Sequence, residues 1–203
     1  MVCNFRRKYK KGMTIVELII TMGIFSLVMI GVSQLFLKSW QNYNFVMHTN
    51  DSSVAANKGV SDLVNVLRRV SEADNGSYAV TSANSFDLKI YSDIDKDNVT
   101  EKIHYYLNGT SLMVGISNPS GFPPTYPSGD DTSKVVINNV VNTSSQPLFY
   151  YYDGSNNAIS APVGAINTVR MVKINLVIYR KEGNLTIESY ASMRNLSDHD
   201  AIK

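Results

Sequence analysis

From Met13 to Leu37 the chain runs apolar with a single charge, Glu17, and no proline. About 20 apolar residues cross the hydrocarbon core of a bilayer as a helix, so this run predicts a spanning helix with room for tilt. The pattern then changes without a break. No proline occurs before Pro119, and Phe45, Thr49, Ser52, Ala56, Val60, Leu63, Leu67 and Val70 recur at steps of three and four. They mark one face of a continuing helix, with Lys58, Asp62, Asn65, Arg69 and Glu72 off it, and such a stripe is suited to pack on a sheet. Glycine suits a C-terminal cap, so the helix is expected to end near Asn75-Gly76. About 60 residues at 1.5 Å each would form a rod of roughly 90 Å.

Past Ser77 the period drops to two. Phe86, Leu88 and Ile90 alternate with Asp87 and Lys89, and residues 101–107 and 110–116 flank Asn108-Gly109, a two-residue hairpin signal. Leu148 to Tyr152 predicts another strand, ended by Asp153-Gly154. Val172, Ile174, Leu176 and Ile178 form one face of a further strand, which turns at Glu182-Gly183 into Leu185, Ile187, Ser189 and Ala191. The expected architecture is α+β: a long helix against an antiparallel sheet of five to seven strands. Residues 117–134 form a Pro/Gly/Ser-rich loop, long for a compact domain and either a connector or a functional surface.

Charge sharpens the picture. The 203 residues carry a net +2, but the sum hides a split. Five basic residues (Arg6, Arg7, Lys8, Lys10, Lys11) precede Gly12 with no acid among them, and the remaining 14 face all 17 acids, a balance of −3. A nucleic-acid binder would carry its positive charge on the folded domain. A basic end before an apolar helix instead follows the positive-inside rule. Cys3, the single cysteine, lies in that basic segment, so no disulfide can form within the head. A secretory signal peptide is a poor match: the apolar run exceeds 7–15 residues and ends in Leu35-Phe36-Leu37-Lys38-Ser39-Trp40, with no small-residue cleavage pattern.

An ionised carboxylate within a spanning helix costs about 2.5–3.5 kcal/mol near the helix centre, so Glu17 requires a partner. A short basic leader, Gly12, then Met13-Thr14-Ile15-Val16-Glu17-Leu18 and an unbroken apolar helix resemble the N-terminus of type IV prepilins and type II secretion pseudopilins. The resemblance implies cleavage between Gly12 and Met13 by a prepilin peptidase, N-methylation of Met13, and filament assembly through Glu17, fifth in the mature chain. It divides the chain into a cleaved leader (1–12), a transmembrane and filament-core helix (13–37), its amphipathic continuation (38–76) and a β-rich pilin head outside the cell or inner membrane (77–203). Other pilin or pseudopilin subunits are the implied partners. Physical chemistry agrees: cleavage exposes an amine that is largely protonated at neutral pH. The Glu17 carboxylate of a neighbour can meet it, and opposite charges buried together offset much of the cost of burying either. Major pilins often carry proline at mature position 22; Gln34 stands there, which leans toward a minor pilin or pseudopilin. The Tyr150-Tyr151-Tyr152 strand and the Met193-Arg194-Asn195-Leu196 ending look like minor pilins and J-type pseudopilins.

One constellation has metal-ligand spacing. Asp93, Asp95 and Asp97 stand as the first three ligands of a calcium loop, with Glu101 at its ninth place. Asn98 replaces the glycine of the sixth place, His104 replaces the bidentate glutamate of the twelfth, and strands replace the flanking helices. The alternatives are a weak calcium site and a solvated hairpin turn. His48, His104 and His199 are scattered, no nucleophile set or phosphate loop stands out, and no enzymatic activity is expected. A stationary single-pass protein with a binding head is the rival to a filament subunit. A DNA-binding pilin would require Arg170, Lys173, Arg180 and Lys181 to form a free basic patch.

Overall fold

The computed structural model describes residues 12–180 and 183–196, with the side chains of 44–52 left aside. One α-helix, α1, runs Ile15–Arg68. The chain divides into two compact units, Met1–Ser52 and Ser53–Lys203, with the boundary inside α1.

In the first unit every described residue from Gly12 to Tyr43 is exposed. The stretch Ile15–Tyr43 is long and apolar enough to cross a membrane. Its hydroxyls turn inward on their own helix: Thr21 Oγ1 donates to the Leu18 carbonyl (2.9 Å), Ser26 to Gly23 (2.9 Å) and Ser33 to Met29 (2.8 Å). Such back-bonding satisfies these three hydroxyls without water, as a lipid-facing helix requires.

The second unit is the head. Its part of α1 buries Ala56, Val60, Leu63, Val64 and Leu67. The predicted stripe therefore packs as expected from Ala56 onward, whereas the side chains of Phe45, Thr49 and Ser52 lie outside the described residues. The helix stops at Arg68, several residues before the expected Asn75-Gly76. Sheet pairing wins here: the Ser71 N–H donates to the Tyr91 carbonyl (3.1 Å), which pulls the chain off the helical path. Gly76 instead closes a separate turn, donating to Ala73 (2.8 Å) at φ +80°.

Nine strands follow among the described residues, more than the five to seven expected, and they form two antiparallel sheets rather than one. The first contains β1 (Val80–Ala83), β2 (Asp87–Ser92), β3 (Glu101–Asn108), β4 (Ser111–Ser117) and β5 (Thr132–Ile137), in that order. The second has the order β7-β6-β8-β9, with β6 (Phe149–Tyr152), β7 (Ala158–Ile159), β8 (Met171–Ile178) and β9 (Leu185–Ser192). The β3–β4 hairpin turns on Gly109-Thr110, one residue later than expected, because Asn108 pairs with Ser111. Gly109 alone has positive φ there (+59°), which is the requirement of a type II′ turn. One core joins the helix stripe to Leu88, Ile90, Ile103 and Leu112 of the first sheet and Phe149, Tyr151, Val172 and Ile174 of the second. Met193 and Leu196 of the terminal turn are buried against it.

Candidate functional site

The start of α1 is built by its own sequence. Thr14 precedes the first helical residue, and its Oγ1 accepts the N–H of Glu17 (3.3 Å), three residues on. The Leu18 N–H bonds the Thr14 carbonyl (3.1 Å). A Thr cap with glutamate at the third helical position is a capping-box pair, and a carboxylate in the first turn also suits the positive end of the helix dipole. The sequence reading missed this cap, whose signal is the spacing Thr14-x-x-Glu17. Gly12 and Met13 precede the cap as exposed chain outside any helix or strand. The bond between them is thus accessible to a peptidase, and the backbone that would carry a new amine lies within a few residues of Glu17. Residues 1–11, which hold the basic leader and Cys3, lie outside the described residues.

Residues 7–33 match the prokaryotic N-terminal methylation motif, the hallmark of type IV prepilin-like proteins. The N-terminus is type IV prepilin-like. No curated protein matches the chain. The motif implies processing by a prepilin peptidase and assembly with other pilins in a membrane.

In the head the predicted carboxylates come together. Ligand oxygens of Asp93, Asp95, Asp97 and Glu101 all lie within 4.8 Å of one another in the β2–β3 connection. The loop already uses many of these oxygens: Asp93 accepts the N–H groups of Lys96 (2.6 Å) and Asn98 (3.2 Å), Asp95 that of Asp97 (3.3 Å), and Asp97 that of Val99 (2.8 Å). Lys96 and Asn98 both adopt φ +67°, the left-handed conformation. Glu101 is buried and accepts the Ile94 N–H at 2.9 Å. Burial pushes its carboxyl up from the ordinary glutamate value; the Ile94 amide opposes this, and Asp95 and Asp93 add to it. A hard cation with oxygen ligands would relieve that crowding of negative charge. His104, at the twelfth place of the loop pattern, is on the opposite face of β3 from Glu101, since side chains alternate along a strand.

His104 belongs to a cluster that the sequence did not disclose. Its Nε2 lies 2.6 Å from Asp87 Oδ2 and its Nδ1 3.0 Å from Asp130 Oδ2, and its ring stacks on Tyr106 at 4.4 Å between centroids. Asp130 reaches it across Gly115, where a Cβ would lie 2.1 Å from Asp130 Oδ2. The Pro/Gly/Ser-rich loop is therefore pinned to the sheet. Lys102 Nζ donates to the Pro127 carbonyl, Ser117 Oγ to Gly129 (2.8 Å), and the Tyr126 hydroxyl to Thr100 (2.7 Å). The loop also ends earlier than expected, because residues 132–134 begin strand β5.

The basic patch required for DNA binding does not form among the described residues. Arg170 is buried and donates to Tyr78 Oη (3.0 Å) and the Asn167 carbonyl (2.7 Å). Lys173 pairs with Glu188 (2.9 Å) between the rings of Tyr150 and Tyr190, and Arg180 binds Ser53 Oγ. Lys181 lies outside the described residues. Of the head's tyrosines, Tyr105 and Tyr151 are buried, while Tyr106, Tyr126, Tyr150 and Tyr152 are half-buried.

Proposed function

We propose that this chain is a minor type IV pilin or pseudopilin: a membrane-inserted filament subunit cut after Gly12, N-methylated on Met13 and assembled through its N-terminal helix. The observation that carries this reading is one carboxylate, Glu17, in the first turn of an otherwise apolar helix, five residues beyond the glycine of a methylation motif. Cleavage removes the basic leader that holds the end at the cytoplasmic face. A neighbour's protonated amine then supplies the counter-charge that Glu17 lacks within its own helix. The carboxylate works as a register device, favouring the axial offset that brings acid and amine together. Its work is mechanical and not catalytic, with the head outside the cell or inner membrane meeting other subunits of a pilus, competence or type II secretion apparatus. Gln34 in place of a kinking proline supports the minor role.

The test is co-expression with a prepilin peptidase, followed by mass spectrometry of the purified chain. A product starting at N-methylated Met13 is expected, and Gly12→Leu should leave the leader attached. An intact leader on the wild-type chain would overturn the reading in favour of a stationary membrane protein.

A further inference from the structure

A cleft of about 690 Å³ opens in the head between α1 and the first sheet. Its floor is branched aliphatic: Ile94, Ile103, Val114 and Ile116. Its size falls in the range of binding sites, and its lining mixes these aliphatics with polar and charged side chains. Three features say what it would hold. The first is polar: Tyr105 lines the cleft, and although the residue is only 5% exposed its hydroxyl is not among the fully buried unpaired atoms of the described residues, so it opens to the cleft. A tyrosine hydroxyl at a cleft surface can donate to an acceptor on whatever fills it.

The second is charge. Lys58, Arg69 and Lys134 stand at the cleft against one acid, Asp62, and neither Lys58 nor Lys134 has an ion pair among the described residues. The third is backbone. β5 forms one wall and is the terminal strand of its sheet, paired only with β4 among the described residues. Thr132 to Val135 are exposed on it, Val135 by 49%. Toward its other end β5 is covered, since a Cβ on Gly59 would lie 2.7 Å from Ile137 Cγ1. A lipid or small acid could use the floor and the charges. Only a polypeptide can also satisfy an open strand edge.

We propose that the cleft edge at Thr132–Val135 receives an extended acidic–aliphatic segment of a partner protein, added as a sixth strand beside β5. Cross-strand register sets its pattern. Tyr105, Val114 and Lys134 lie in one row across β3, β4 and β5, and Ile103, Ile116 and Thr132 in another on the same face. An added strand extends both rows. It places an acid opposite Lys134, where opposite charges are favoured, and an aliphatic side chain two residues away opposite Thr132. Lysine on an edge strand ordinarily deters pairing with another chain. Here it deters basic strands and admits acidic ones. The inference rests on the filament-subunit reading only for the source of the segment, another subunit's head; binding itself needs no filament.

The full chain in non-ionic detergent micelles is titrated into the fluorescein-labelled peptide SVETITS and read by fluorescence anisotropy. Wild type should bind SVETITS at least tenfold more tightly than SVKTITS, and Lys134→Glu, exposed and so expected to melt as wild type does, should reverse the preference. Lys58→Glu should weaken SVETITS in the same direction but less. SVETITS with its backbone N-methylated at glutamate and at the last threonine should lose binding. No binding of SVETITS, equal binding of the two peptides, or undiminished binding of the N-methylated one would each overturn the proposal. The last would mean a cleft for amphiphiles rather than for strands. None of these results touches cleavage at Gly12, so failure here stays distinct from failure of the filament reading.

Discussion

Two stretches of one helix solve opposite problems. Between Ile15 and Tyr43, Ile15, Leu27 and Leu35 are 71–80% exposed, and the apolar residues go all the way round. Between Ala56 and Leu67 the apolar residues keep to a stripe and are almost wholly buried by the head's own sheets. The second stretch is complete in one chain, whereas the first is stable only in lipid or against other helices. An exposed apolar surface of that extent in water would be an association site. The head thus has a core of its own, whereas the N-terminal unit buries none of its apolar residues among the described ones.

The sharpest way to break this contrast is Glu17→Leu. It makes the spanning helix more apolar, so membrane insertion should persist, but incorporation into filaments should fall to background in an assembly assay. Undiminished incorporation would remove the carboxylate from its assigned role. Next comes a paired truncation. Leu67→Ala should destabilise the head by about 2–5 kcal/mol, the range for a buried leucine, and lower its melting temperature accordingly. Leu27→Ala should leave the melting of the same protein unchanged in micelles. Equal effects would mean that the two stretches are not energetically separate.

The smallest expected effect sharpens the comparison within the head. Calcium at 5 mM should raise its melting temperature by a few degrees, about 1–1.5 kcal/mol for a site of submillimolar affinity. Glu101→Gln keeps an oxygen for the Ile94 N–H but removes the charge, and it should abolish that rise. An unchanged melt with and without EDTA would leave Asp93, Asp95 and Asp97 as a self-bonded turn.

What the sequence disclosed follows from range. The apolar run as a helix, the stripe from Ala56 and the strand Val172-Ile174-Leu176-Ile178 depend on local periodicity, and each holds. Boundaries fared worse where a distant segment competed. The helix ends at Arg68 because Tyr91, a strand residue some twenty positions on, captures the Ser71 N–H. Gly76 marked a turn correctly, though not the helix end. The division into two sheets was hidden because β7 has only two residues and β5 emerges from within an expected loop. At the candidate sites, the carboxylate turn was readable because its ligands are close in sequence. The His104 cluster was not, since Asp87 and Asp130 lie 17 and 26 residues away and the geometry depends on Gly115 lacking a side chain.

That missing side chain has a practical consequence. Asp130 anchors one end of the 118–131 segment, Asn118 ties the other through its N–H to Asp131 (3.0 Å), and the paired Ser120 and Thr125 close off the tip between them. Phe122 at that tip is fully exposed. Loop tips held at their base tolerate added residues. An epitope or a fluorophore-accepting cysteine introduced at 122 would therefore ride on the surface without loading the sheet beneath, a handle for following individual subunits in living cells.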